Sequence, residues 1–198
     1  MGKFLNGKLS ITGRILFVIA GLLLVACLFF PWWRLELIAT IYPEGLRMEV
    51  FANKIGGKID ILNNLNHYIG MKEISEADFP ELQFMVYIVG AIVAIAFLTA
   101  ISGKVWLGST AFVIAGAGGL LGLYDLWFWL RKYGTDLDPM AAIKIPPFVP
   151  PMMGQNQLAN FTTYSSFQLG GYLLGAGIIL MLIALWRFRR WEKPAVEQ

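Results

Sequence analysis

Four long apolar blocks restrict what this chain can fold into. They cover residues 15–33, 84–102, 107–130 and 170–186. Each is close to the ~20 residues that an α-helix needs to cross the hydrocarbon core of a bilayer. The chain of 198 residues is also 57% hydrophobic and only 15% charged, which is too apolar for an ordinary water-soluble domain. We therefore expect an all-α membrane protein, with four transmembrane helices forming a single membrane domain over residues 1–198.

The distribution of lysine and arginine predicts the orientation. With a cytoplasmic N-terminus, the cytoplasmic side carries eight basic and two acidic residues, and the opposite side carries eight basic and eleven acidic residues. Because basic residues concentrate in cytoplasmic loops, we expect a multi-pass protein of the bacterial inner (cytoplasmic) membrane with both termini in the cytoplasm. The loop ends also explain the net charge of +3, so no nucleic-acid partner is expected.

The tryptophans fit the same topology, because their amphipathic rings prefer the membrane interface. The outer ends of the blocks hold Trp32, Trp33, Trp127 and Trp129, and the inner ends hold Trp106, Trp186 and Trp191. Cys27 ends a lipobox-like Leu-Val-Ala-Cys sequence, but the apolar run continues beyond it. We interpret the first block as a retained signal anchor, and the sequence leaves lipidation of Cys27 open.

Two extracytoplasmic loops, residues 34–83 and 131–169, are predicted to form a small cap. In the first, alternation over residues 46–50 indicates a strand, and Gly56 and Gly57 are placed to close a short β-hairpin. An amphipathic helix is expected from Asp60, as its N-cap, to Gly70. The second loop is rich in proline, which favours an extended cover over helix or central strand.

Small residues in the third and fourth blocks predict close helix packing. Gly118 and Gly122 are four residues apart, as are Gly171 and Gly175. Such pairs let helix backbones approach in lipid, either within this chain or with a partner subunit, so the oligomeric state stays open. Asp125 is the only acidic residue inside a predicted span, and we expect it to contact Tyr124, Arg131 or Lys132 near the interface.

Histidine and methionine in the loops indicate soft-metal chemistry. His67, the only histidine, precedes Met71 by four residues, and Met152 and Met153 lie in the other loop. Imidazole and thioether ligands suit Cu(I), so these four residues are the candidate metal ligands. The alternative is that His67 hydrogen-bonds to Asn63, Asn66 or loop backbone while the methionines only pack. The nucleotide-binding and hydrolase motifs of enzymes are absent from the sequence, so no enzyme is expected.

Three stretches together resemble a known family. They are residues 42–46, residues 65–71, and residues 136–139 with 150–154, 160–161 and 170–171. These are similar to the small four-span membrane proteins encoded beside nitrous-oxide-reductase maturation and copper-chaperone genes in bacteria. The resemblance covers both loops, and its His-Tyr-Ile-Gly-Met element points to His67 and Met71. Residues 145–149 depart from the pattern, because the family has a longer insert there.

The resemblance and the His/Met content imply an accessory protein for extracytoplasmic copper handling, or for assembly of a periplasmic or membrane redox enzyme. In this hypothesis Cu(I) binds transiently, and a membrane or periplasmic protein is the partner alongside the lipid bilayer. The alternative is a structural subunit that docks partner proteins of a membrane redox complex and holds no metal of its own.

Overall fold

The computed structural model describes residues 7–39, 42–158 and 161–190. Their helices are α1 (Ile11–Cys27), α2 (Ile59–Ile69), α3 (Leu82–Ser102), α4 (Val105–Thr135) and α5 (Leu169–Arg187), with a 3₁₀ turn at Glu76–Asp78. Their strands are β1 (Lys8–Leu9), β2 (Trp33–Ala39), β3 (Tyr42–Val50), β4 (Ile55–Gly57), β5 (Gly154–Leu158), β6 (Phe161–Phe167) and β7 (Arg189–Arg190). Residues 1–6 and 191–198, with Trp191, and Asn160 lie outside the described residues. Two compact units result, residues 1–27, 86–119 and 172–198, and residues 28–85 and 120–171.

The prediction of an all-α fold with four spans is wrong. A five-stranded antiparallel sheet in the order β4-β3-β2-β6-β5 forms from both predicted loops. Strand β2 begins at Trp33, inside the first apolar block, and α1 therefore ends at Cys27 after 17 residues. That length is about 25 Å, short of a hydrocarbon core of ~30 Å. Three helices, α3, α4 and α5, are long and apolar enough to span a membrane, which suggests a membrane protein.

The first unit is a packed set of helical segments. Its fully buried side chains are Phe17, Ala20, Leu24, Cys27, Ala96, Thr99, Val105, Ala111, Met181 and Ala184. Gly108 permits the closest approach, because an added Cβ would lie 2.7 Å from the Phe17 ring. At one end, the Arg14 guanidinium donates to the carbonyls of Ala100 and Ile101, and the Leu9 amide donates to the Gly103 carbonyl. Strand β1 also pairs with β7.

The glycine pairs do not make the predicted contacts within the chain. Among the residues that the structure describes, an added Cβ would meet no atom within 4 Å at Gly118, Gly122 or Gly175. Gly171 belongs to the second unit, where its Cβ would lie 2.6 Å from the Trp32 carbonyl oxygen. Gly171 therefore lets the first turn of α5 lie close to the Trp32 backbone. For Gly118, Gly122 and Gly175, packing against a partner subunit stays a prediction.

The sheet of the second unit has one apolar and one charged face. Residues directly opposite in antiparallel strands share a face, and Leu35 lies between Met48 and Ser165. On this apolar face Trp33 and Leu46 are buried, with 2% and 1% of their surface exposed. The other face carries two cross-strand ion pairs, Arg34 with Glu49 at 2.6 Å and Arg47 with Glu36 at 2.8 Å. Trp33 thus belongs to the core of the sheet.

The hairpin of β3 and β4 turns at a different place from the one expected. Its turn covers residues 51–54, where the Phe51 amide donates to the Lys54 carbonyl, so Gly56 and Gly57 lie within β4. Gly57 has φ +110°. The backbone amide of the next residue, Lys58, donates a hydrogen bond to the Arg47 carbonyl at 2.9 Å. Alternation identified β3, but two adjacent glycines resembled a turn more than a short edge strand.

Helix α2 is present where the amphipathic pattern predicted a helix, with two differences. Asp60 lies in its first turn, because the N-cap position is Lys58, which makes no side-chain capping bond. The buried side consists of Leu62, Asn66 and Ile69, whereas Tyr68 is 56% exposed. Local periodicity therefore located this helix but did not orient it.

The proline-rich segment behaves as expected only in part. Residues 136–153 form neither helix nor strand, but residues 154–167 form β5 and β6, and β6 is paired on both sides. Two hydrogen bonds attach the second half of the segment. The Phe148 amide donates to the Gly134 carbonyl at 2.9 Å, and the Trp33 indole donates to the Met152 carbonyl at 2.7 Å.

Replacing Trp33 with phenylalanine is expected to lower the free energy of unfolding by about 1 kcal/mol. The ring stays buried, but the hydrogen bond to Met152 is lost and a half-buried carbonyl loses its donor. Thermal unfolding of the detergent-solubilised protein, followed by circular dichroism, measures the change. Trp186→Phe is the control, since Trp186 is 74% exposed; an equal shift in both variants would contradict the assignment of Trp33 to the sheet core.

Candidate functional site

An open depression of about 480 Å³ in the second unit brings two sequence-distant segments together. One side is the C-terminal end of α2 and the residues after it, and the other is the segment that follows α4. The lining residues are His67, Gly70, Met71, Lys72, Glu73, Asp136, Leu137, Asp138 and Pro139. Two of the predicted ligands, His67 and Met71, therefore line the same depression.

The end of α2 is fixed by a Schellman motif. Gly70 adopts the left-handed conformation with φ +77°. The Met71 amide donates to the Asn66 carbonyl at 2.9 Å, and the Gly70 amide donates to the His67 carbonyl. Glycine is favoured at this position because a left-handed backbone costs other residues free energy. The motif turns the chain at Gly70, and His67 before the turn and Met71 after it both line the depression.

The segment after α4 is held against this helix end by backbone hydrogen bonds. The Asp138 amide donates to the Gly70 carbonyl at 2.8 Å, and the Ile143 amide donates to the Tyr68 carbonyl at 2.9 Å. Asp138 also shapes its own turn, because its Oδ1 accepts the Met140 amide at 2.8 Å. Gly70 lies very close to Asp138, because a Cβ added at Gly70 would come within 2.9 Å of the Asp138 carbonyl oxygen. The wall of the depression depends on this close approach.

His67 is exposed, and neither of the asparagines expected to bond to it does so among the described residues. Asn63 donates to the Ile74 carbonyl and accepts the Ile74 amide, at 3.0 and 2.8 Å. Asn66 is buried, and its Nδ2 has no hydrogen-bond partner among the described residues. The His67 ring meets the Tyr68 ring edge-on at a centroid distance of 6.4 Å. The structure thus gives no support to the alternative in which His67 is tied to Asn63 or Asn66.

Met152 and Met153 are not among the residues that line the depression. Met152 is half-buried, and its carbonyl receives the Trp33 indole described above. Met153 is 57% exposed, immediately before β5. Of the four candidate ligands, the structure brings together His67 and Met71 only, and a role for Met152 and Met153 stays a prediction.

Acidic groups dominate the charge of the depression. Glu73, Asp136 and Asp138 are exposed in its lining, and Lys72 is paired with Asp78 at 2.6 Å. Within the described ranges no cluster of three His, Cys, Asp or Glu side chains is close enough to hold a metal ion. Any metal here would be held by few protein ligands, and the negative surroundings would favour a cation.

An aromatic cluster supports the chain beside the depression. The Phe79 ring lies 4.5 Å from the Trp129 ring and 6.2 Å from the Tyr133 ring, measured between centroids. The Tyr133 hydroxyl donates to the Glu73 carbonyl at 3.2 Å. The last turns of α4 therefore hold residues 73–79 in place through ring packing and one hydrogen bond.

Asp125 has partners other than the predicted ones. Its carboxyl group is within reach of Glu81 and of Trp129. Arg131 lies over the Trp127 ring, and Lys132 lies over the rings of Phe128 and Trp129. The two cations therefore contact aromatic faces.

Comparison with protein-family models, curated sequences and solved structures gives no match. The family resemblance described from the sequence thus rests on the quoted residues alone.

The sequence did not reveal that residues 136–139 lie against the end of α2. Asp136 and Asp138 read as turn residues, and Asp138 does make such a turn. What brings it to Gly70 is backbone hydrogen bonding across more than sixty positions of sequence, which leaves no periodic signal. The one available hint was that both segments belong to the stretches that carry the family resemblance.

Proposed function

We propose that the chain is a membrane accessory protein whose depression binds Cu(I) transiently through His67 and Met71. The supporting observation is that a Schellman turn at Gly70 places both residues in the lining of one acidic depression. Imidazole and thioether are ligands that suit Cu(I), and an exposed site with few protein ligands releases its ion easily. Such a site fits copper supply to, or assembly of, an extracytoplasmic copper or redox enzyme.

The proposed location is the bacterial inner membrane, with residues 103–104 on the cytoplasmic side. Two observations support it. The short connection between α3 and α4 contains Lys104, and α5 ends at Arg187 with Arg189 and Arg190 directly after it. Residues 8–9 are hydrogen-bonded to residues 103 and 189–190, so these basic segments lie at the same end of the first unit. If α3 and α4 each cross the membrane once, the residues before α3 and after α4, which include those that line the depression, are extracytoplasmic.

The metal proposal is tested by titrating the purified protein with Cu(I) under anaerobic conditions against a chromophoric Cu(I) chelator. His67→Gln and Met71→Leu are each expected to lower the Cu(I) affinity at least tenfold, since even outer-shell changes cost roughly 10 to 100-fold. Met153→Leu is the matched control, because it removes an exposed methionine outside the depression, and its affinity should equal that of the wild type.

The same titration separates the proposal from its alternative. Equal affinity in the wild type, His67→Gln and Met71→Leu would overturn the metal proposal. The alternative is a docking subunit, and the exposed Tyr68 beside His67 favours it, because tyrosine is enriched at protein interfaces. Under that alternative, Tyr68→Ser would weaken copurification with membrane partners while Cu(I) binding stays weak in every variant.

A further inference from the structure

The second half of α4 changes from apolar to aromatic and then to basic over about three turns. Leu120, Leu121 and Leu123 are 71%, 67% and 42% exposed. Such a row of exposed leucines is costly in water but ordinary against lipid chains. The next exposed large side chains are Tyr124, Trp127 and Phe128, and Arg131 and Lys132 follow. Tyrosine and tryptophan concentrate where hydrocarbon meets headgroups, so this order marks the bilayer surface along the helix.

The helix length agrees with this position. Val105–Thr135 contains 31 residues, which is about 46 Å, whereas a hydrocarbon core of ~30 Å takes about 20. The surplus places Arg131 and Lys132 beyond the hydrocarbon if the aromatic residues lie at its edge. The two cations are then at the depth of the lipid phosphates.

The two cations are oriented by aromatic rings four residues earlier on the helix. The Arg131 Cζ lies 5.5 Å from the centroid of the Trp127 ring, and the Lys132 Nζ lies 6.0 Å from that of Phe128. Lys132 is also 4.9 Å from the Trp129 ring. Neither cation forms an ion pair with a carboxylate among the described residues. Two adjacent positive charges are therefore left for an anion from outside the chain.

We propose that Arg131 and Lys132, with Trp127, bind the phosphate of an anionic phospholipid at the bilayer surface. Arginine presents several donors to phosphate oxygens, and lysine adds a second charge. The Trp127 ring is exposed to the lipid, whereas Trp129 is turned towards Asp125 and Phe79. A zwitterionic headgroup carries its own cation, so the pair favours a lipid of net negative charge. The proposal is independent of Cu(I) binding.

The test is native mass spectrometry of the detergent-solubilised full chain, with phosphatidylglycerol and phosphatidylcholine added in separate titrations. The wild type is expected to bind phosphatidylglycerol more tightly than phosphatidylcholine. Replacing both cations, R131Q with K132Q, should lower phosphatidylglycerol affinity roughly 30-fold, because each basic residue near a membrane surface contributes about 1 kcal/mol. The control is Lys144→Gln, which removes an exposed lysine that contacts no aromatic ring among the described residues, and it should bind as the wild type does.

A swap of the two cations, R131K with K132R, keeps the charge and should retain most of the binding. Circular dichroism verifies that each variant keeps the helix content of the wild type. Unchanged phosphatidylglycerol affinity in the folded glutamine variant would overturn the proposal, as would equal affinity of the wild type for the two lipids. Displacement of the lipid by millimolar inorganic phosphate would overturn the lipid assignment, since it would show a site for a soluble anion.

Discussion

Gly57→Ala is expected to lower the free energy of unfolding by about 3 kcal/mol, the largest effect of any single methyl group added to the sheet. The backbone at Gly57 has φ +110°, a region that side chains rarely adopt, and such strain costs about 1 to 3 kcal/mol. An added Cβ would also overlap the Arg47 carbonyl oxygen, which accepts the Lys58 amide. Strand β4 would have to separate from β3. A fall in Tm of roughly 6–12 °C, followed by circular dichroism, is the expected readout.

Gly154→Ala isolates the contribution of the clash. Gly154 has φ +116°, nearly the same backbone conformation, but an added Cβ there would meet no atom within 4 Å. Its variant should show the backbone strain alone, about 1 kcal/mol. If both variants lost the same stability, the close packing of β4 on Arg47 would be refuted.

Gly70→Ala is expected to weaken Cu(I) binding about tenfold although it removes no ligand, and to cost about 2 kcal/mol of stability. The left-handed backbone at φ +77° penalises alanine. The added Cβ would lie 2.8 Å from the Ala141 Cβ and 2.9 Å from the Asp138 carbonyl oxygen, so the segment after α4 must move away. The depression would open, and His67 and Met71 would lose their fixed positions. Cu(I) competition and thermal unfolding measure the two effects.

Gly45→Ala is the matched control for this variant. Gly45 has the same φ of +77°, but its added Cβ would meet the Glu36 carboxylate at 2.8 Å, and that side chain is able to move. We expect a loss of stability similar to that of Gly70→Ala, with unchanged Cu(I) affinity. Equal loss of Cu(I) affinity in both variants would show that general destabilisation, and not the geometry at Gly70, controls the metal.

The apolar blocks predicted the long helices α3, α4 and α5 well, but the prediction failed in the first block, which ends in a strand of the sheet. The last three blocks became α3, α4 and α5, because long apolar runs leave few alternatives to helix. In the first block, hydropathy did not distinguish a helix that continues to Trp33 from one that stops at Cys27 before a buried strand. Trp33 is apolar in either case, and only its pairing with Val50 and Phe167 shows that it belongs to a strand.

The sheet was largely hidden because its strands come from distant segments. Alternation revealed β3, but in β5 and β6 apolar and polar residues do not alternate, and the aromatic residues of β6 recur at every third position. Thr163 and Ser165 are buried because β6 lies between β2 and β5, which is a property of the topology and not of local composition. Long-range strand pairing of this kind leaves little trace in a single sequence.

The candidate site was predictable at one side only. The spacing of His67, Gly70 and Met71 indicated a helix end with two ligands close together, and the Schellman motif at Gly70 confirms that end. The opposite wall is made by Asp138 through its backbone amide, and a backbone contact depends on chain path more than on side-chain type. Met152 and Met153 were chosen for their chemistry, and the fold places them outside the lining of the depression.

X-ray absorption at the copper edge of the Cu(I)-loaded protein tests the central claim most directly, because it identifies the ligand atoms. The account predicts nitrogen and sulfur neighbours in the wild type, with the sulfur lost in Met71→Leu and retained in Met153→Leu. Loss of the nitrogen signal in His67→Gln is expected as well. A spectrum without sulfur, or one that Met71→Leu leaves unchanged, would contradict the assignment of His67 and Met71 as a Cu(I) site.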